Sequence, residues 1–228
     1  MTYQLQFGDL ADYAGLFASG AATTLALTAV STVLGLGLGI LGAAAHDTRA
    51  PRLAPLRGLT GAYVEAIRNT PFLVQLFFVF FGLPALGIHI GEVTAAILAM
   101  TLNLGAYSVE IVRAGVAAVP RGHHEAAAAL AMSRAQAWRH VVLPQALAKV
   151  FPALVSQIVI TMLGSAVVSQ ISVADLTYAA GYIQSRNFRA FETYFVITLA
   201  YLAMALLLRA ALNTAGRRLF ARGAGGAR

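Results

Sequence analysis

Five stretches of this chain run without a single Asp, Glu, Lys, Arg or His: residues 13–45, 69–88, 93–109, 150–174 and 193–208. They are thirty-three, twenty, seventeen, twenty-five and sixteen residues long. A helix needs about 20 apolar residues to cross the hydrocarbon core, with a range of about 17–25. The two shortest runs must therefore borrow flanking residues whose charges snorkel or face protein. Five spans are expected, near 17–44, 59–83, 92–114, 145–168 and 191–213. Backbone groups cannot stay unpaired in lipid, and the ten-residue alternation of a membrane barrel is absent, so the spans are helices. Composition agrees: 59% of the residues are hydrophobic and 11% charged, against about a quarter charged in a soluble domain. The expected fold is an all-α integral membrane protein.

The formal charge of +7 then speaks to orientation. Basic residues concentrate on one side of the spans. Segment 46–58 has Arg49, Arg52 and Arg57, segment 115–144 has Arg121, Arg134 and Arg139, and the tail has Arg217, Arg218, Arg222 and Arg228. The other side has only Arg186 and Arg189. An odd number of spans separates the termini, so a periplasmic segment 1–16, a transmembrane domain 17–213 and a basic cytoplasmic tail 214–228 are expected. The tail suits anionic lipid better than nucleic acid. The opening Met1-Thr2-Tyr3-Gln4 lacks a basic leader, and no cleavage is expected. Lys149 is the only lysine and precedes Val150, so no Gly-Lys-Ser/Thr phosphate loop exists here. The absence of cysteine excludes disulfides, Cys-ligated metal and thiol catalysis. Five spans do not divide into two equal repeats, so the chain reads as half of a pore that needs a partner.

Segment 120–144 is the most informative. After Pro120-Arg121-Gly122, a short alanine-rich helix begins. Ser133 followed by Gln136 reads as a capping box opening a second short helix, and Pro144 opens the next span. Two short helices at an angle suit either docking into a groove on another protein or lying on the headgroups.

Glu125-Ala126-Ala127, three residues, Ala131, nine residues, then Val141-Val142-Leu143-Pro144 resembles the EAA signature of bacterial ABC import permeases. Tyr63–Gln75, with Arg68-Asn69-Thr70-Pro71 inside it, Leu102–Arg113, and Gln145-Ala146-Leu147 are similar to the polar amino acid permeases of that family. The likeness spans roughly residues 16–212. It implies a type I importer permease whose loop, through Glu125, Ala126, Ala127, Ala131 and Arg134, receives motion from a separate ATPase. The implied assembly has two ATPase subunits, a second permease chain, identical or paralogous, and a periplasmic amino-acid-binding protein. The chain itself would be no enzyme and hold no cofactor. Ala131 stands where the family has glycine, a cost of about 1–2 kcal/mol if the turn requires positive φ. Leu163-Gly164-Ser165-Ala166-Val167 also departs, because many relatives place Lys-Asp-Thr/Ser-Ser-Leu there.

Within the spans, Asn103, Tyr107 and Glu110 share one helix face at i, i+4 and i+7. Glu65, Arg68, Glu110 and Arg113 are expected as an ion-pair layer, Glu65 with Arg113 or Arg68 with Glu110, or as a cytoplasmic gate. Asn103, Tyr107, Gln157, Ser165, Ser169 and Gln170 are the candidates for a zwitterionic substrate. Equally, Asn and Ser in spans often bond neighbouring helices. Pro71 and Pro152 are candidate kinks.

Gly37-Leu38-Gly39-Ile40-Leu41-Gly42 matches a dinucleotide fingerprint literally, yet it lies in an apolar run and reads as close helix packing. His123-His124-Glu125 lacks the spacing of a zinc motif. A stand-alone ion-coupled carrier would use Glu65 and Glu110 as its relay. An intramembrane hydrolase finds neither a base nor metal-ligand spacing.

Overall fold

The computed structural model describes residues 4–47 and 54–224. Arg49, Arg52, Arg228 and the side chain of Arg222 lie outside the described residues. A 3₁₀ turn, Gly8–Tyr13, leads into α1 (Ala14–Asp47), followed by α2 (Ala54–Arg68), α3 (Phe72–Ala85) and α4 (Glu92–Ala117). Then come α5 (Arg121–Ala129), α6 (Arg134–Ala137), α7 (Leu143–Gly164), α8 (Leu176–Asn187) and α9 (Ala190–Ala224). A π turn, Trp138–Val142, joins α6 to α7, and a 3₁₀ turn, Ser165–Ile171, continues α7. Among the described residues, four helical stretches are long and apolar enough to cross a membrane, or five if the bent pair α2–α3 is one span.

That bent pair corrects the single helix expected over 59–83. α2 and α3 meet at 113°. The break follows from Thr70-Pro71: proline has no N–H to donate and disfavours helix in the residue before it. Pro71 is extended, with φ −65° and ψ 138°. Pro152, the other candidate, lies inside the continuous α7.

α1 and α4 form the central pair because small residues let their backbones approach. A Cβ at Gly35 would sit 3.0 Å from Leu104, one at Gly39 would overlap Ser108, and one at Gly42 would sit 2.5 Å from Val109. From the other side, Gly105 faces Leu38 and the Tyr63 hydroxyl, and Gly115 faces the Ala146 carbonyl of α7. The glycines at 35, 39 and 42 thus serve packing. Outward faces of α1 and α9 stay apolar and exposed, as at Val33, Leu41, Leu202 and Leu207, which suits lipid contact.

Segment 169–190 holds a helix that run-counting does not reveal. Asp175 caps α8, accepting from the Tyr178 N–H at 2.8 Å and from the Tyr201 hydroxyl at 3.2 Å. Leu176, Ala179, Ala180 and Ile183 bury one face of α8. Burial pushes the Asp175 carboxyl above its ordinary range, opposed by hydrogen bonds from the Tyr178 and Thr177 N–H groups and the Tyr201 hydroxyl. At the same end of the bundle, Gln6 N–H donates to the buried Glu192 at 3.0 Å and Arg189 pairs with Glu192 at 3.2 Å. These contacts strap the start of the chain to the start of α9. At its other end, α9 continues beyond residue 213 into the basic tail.

The α5–α6 turn matches its sequence reading closely. Ser133 and Gln136 form the reciprocal capping box. The expected second short helix does not stand alone, however; it runs on through the π turn into α7. α5 ends in a Schellman motif: Met132 N–H donates to Ala127 O at 3.1 Å and Ala131 N–H to Ala128 O at 2.9 Å. Ala131 occupies the left-handed position, φ 53°, where a Cβ costs about 1–2 kcal/mol. Ala131→Gly removes that cost and adds some chain entropy on unfolding. The net gain of about 1 kcal/mol should slow hydrogen exchange of the Ala131 and Met132 amides about fivefold; unchanged or faster exchange would contradict it.

Candidate functional site

The α2–α3 break is closed by one side chain. Gln75, on the first turn of α3, donates to the Ile67 carbonyl at 2.7 Å and to both the carbonyl and hydroxyl of Thr70 at 2.9 Å. A helix that stops inside a bundle leaves its last carbonyls unpaired; Gln75 satisfies one of them, at Ile67, and the Thr70 carbonyl in the break itself. Asn103 of α4 donates to Gln75 Oε1 at 2.9 Å, so the break is tied to the central helix. Tyr63 adds a second tie, donating to the Leu102 carbonyl at 2.5 Å. Gln75 was not among the sequence candidates. Its signal is a lone amide four residues after proline in an otherwise apolar stretch.

Beside this clasp lies a cavity of about 450 Å³, within the range of small-molecule sites. Thr70, Pro71 and Phe72 line it from the break, Met100, Asn103 and Tyr107 from α4, and Gln157, Ile160, Thr161 and Gly164 from α7. Three of the six substrate candidates, Asn103, Tyr107 and Gln157, therefore meet at one cavity. Ser165, Ser169 and Gln170 do not line it. The α-helix ends at Gly164 and tightens to a 3₁₀ turn, which changes the angular step between side chains. Ser165 is buried and donates to Met162 O at 2.7 Å, Ser169 donates to Ala166 O at 2.9 Å, and Gln170 is exposed.

The charges lie one turn along α4. Arg113 pairs with Glu110 at 2.5 Å and Arg68 reaches the same carboxylate at 3.7 Å. The Arg68 guanidinium also stands 5.6 Å from the Tyr107 ring centre, at cation–π distance. Of the two expected pairings, Arg68 with Glu110 forms. Glu65 with Arg113 does not: Glu65 is exposed and accepts from Asn69 at 3.3 Å, while Arg113 takes the acid on its own helix. A second cavity, of about 740 Å³, lies beyond this cluster, lined in part by His46, Glu110, Arg113, Arg121 and His124. In the loop, Glu125, Ala126, Ala131 and Arg134 are exposed, whereas Ala127 is buried.

The sequence of residues 35–221 matches the family model of the binding-protein-dependent transport system inner membrane component. The chain belongs to that family. It is a multi-pass membrane transport subunit of ABC importer type and not an enzyme. It is 34% identical over 193 residues to the probable glutamine ABC transporter permease protein GlnM of Bacillus subtilis, covering 84% of this chain and 89% of that one. The L-cystine transport system permease protein TcyB of the same organism is 34% identical over 205 residues, 90% and 86% of the two chains. Among solved structures, a chain of an amino acid ABC transporter with histidines matches at TM-score 0.84 and 37% identity, over 95% of this chain and all of that one. These matches lend no support to an ion-coupled carrier.

The charge cluster of this family member gives a direct test. Arg68→Glu and Glu110→Arg should each lower uptake by the assembled transporter. The double swap sets the new carboxylate against two guanidinium groups and should recover most of it. A double swap no better than either single change would contradict direct pairing.

Proposed function

We propose that this chain is the permease subunit of an ATP-driven amino acid importer, with the cavity between the helix break, α4 and α7 as its half of the substrate path. One observation carries the reading. The loop that bears the Glu125-Ala126-Ala127 pattern is continuous, through α6 and the π turn, with the helix that bears Gln157, Thr161 and Gly164. Its other end joins α4, which bears Asn103 and Tyr107. A push on α5 acts on two walls of the cavity at once. α7 is 22 residues long, about 33 Å at 1.5 Å per residue, so the lever spans most of the membrane.

In this reading Glu125, Ala126, Ala127, Ala131 and Arg134 meet one of two ATPase subunits. A second permease chain, identical or paralogous, completes the path. A periplasmic amino-acid-binding protein delivers the cargo. Relatives named for glutamine and L-cystine transport support an amino acid as that cargo. Asn103, Tyr107 and Gln157 would hold its polar ends. Segment 1–16 lies in the periplasm, domain 17–213 carries the spans with its loop 120–144 in the cytoplasm, and 214–228 is cytoplasmic, as the ten-to-two distribution of basic residues favours. Glu65, Arg68, Glu110 and Arg113 then sit at the cytoplasmic end, and the Arg68–Glu110–Arg113 cluster would part and reform as the path opens there.

Glu125→Ala in the assembled transporter tests the coupling. Loss of a charged partner at an interface should lower ATP-dependent uptake at least about tenfold. ATP hydrolysis by the ATPase subunits should persist. Unchanged uptake would remove Glu125 and its loop from the coupling role.

A further inference from the structure

The cavity that we read as the substrate path has a definite electrostatic character. None of its lining residues carries a carboxylate, ammonium, guanidinium or imidazole group. Its polar equipment is neutral and can both donate and accept: the Gln157 carboxamide, the Tyr107 and Thr161 hydroxyls and the Asn103 carboxamide. Among the described residues the Gln157 side chain and the Tyr107 hydroxyl make no hydrogen bond, and Asn103 spends its amide on Gln75 while its carbonyl oxygen makes none. Thr161 donates to the main-chain carbonyl of Gln157.

The charges one turn away leave no net sign. Glu110 is shared between Arg68 and Arg113, and Glu65, one turn before Arg68 on α2, sets a second acid against those two guanidinium groups. A cationic cargo side chain would meet a wall with no acid. An anionic one would leave water for a wall with no counter-charge, and a buried charge without a partner is strongly disfavoured. The ammonium and carboxylate of an amino acid cancel, so an uncharged side chain adds no net charge.

We infer that this cavity selects amino acids with uncharged, hydrogen-bonding side chains, carboxamides or hydroxyls, and excludes those with cationic or anionic ones. The inference rests on the cavity being the substrate path. Gly164 supplies the means to alter the selection: a Cβ built there meets nothing within 4 Å. A side chain at this position therefore enters open space in the cavity wall.

The experiment measures equilibrium binding of radiolabelled L-glutamine, L-arginine and L-glutamate to the assembled permease–ATPase complex without its binding protein. Glutamine should bind, and the two charged amino acids should bind about tenfold more weakly or worse. In Gly164→Asp, arginine binding should rise about tenfold and glutamate binding should fall further. Arginine or glutamate binding as tightly as glutamine to the unaltered complex would overturn the inference by itself, whether or not the variant assembles. Failure of all three to bind, together with full uptake by Gln157→Leu, would instead overturn the substrate-path reading and this inference with it.

Discussion

The bundle depends on how it tolerates a broken helix inside a membrane. A 113° bend between α2 and α3 exposes carbonyls that lipid cannot satisfy. Gln75 satisfies two of them, and Asn103 fixes Gln75 in turn. The same break forms one wall of the cavity, through Thr70, Pro71 and Phe72. The polar clasp and this wall are two consequences of one Thr-Pro step.

Around that clasp the rest of the fold is arranged for rigidity. The α1–α4 pair is close because glycines of each helix pack on side chains of the other, Gly39 on Ser108 and Gly105 on Leu38. α4 therefore presents Asn103 and Tyr107 from a helix packed closely against α1. α7 faces them and extends into the loop at the far end. At the opposite end, the Asp175 cap and the Glu192–Arg189 pair hold α8 and the start of α9. Motion is then most available along the α5–α6–α7 line, where the π turn interrupts regular helical bonding. Strain at Ala131 lies on the same line.

Much of this was legible from residues alone. Apolar runs located the long helices, Ser133 and Gln136 located the cap, and the substitution at Ala131 flagged a left-handed turn that the backbone does contain. Asn103, Tyr107 and Gln157 were selected as lone polar groups in spans, and they do converge. What escaped depended on three-dimensional consequences. Gln75 has no role until the helix breaks, so a run-counting argument passes over it. α8 is too short to register as a span, although Asp175 before Leu176 is an ordinary capping signal. Ser165, Ser169 and Gln170 lie at the exit of the fourth span, where the helix changes period after Gly164 and turns them away from the cavity.

The Gln75–Asn103 clasp maintains the broken span and the cavity wall that it forms. A double-mutant cycle on Gln75→Leu and Asn103→Leu, read as thermal stability and glutamine binding of the assembled complex, measures it directly. Each single change leaves buried polar groups unpaired at about 1–3 kcal/mol apiece. Gln75→Leu should be the costlier, both changes should abolish glutamine binding, and the double change should be about 1 kcal/mol or more less damaging than the sum. Additive losses, or a Gln75→Leu complex that keeps its stability and binds glutamine normally, would contradict it.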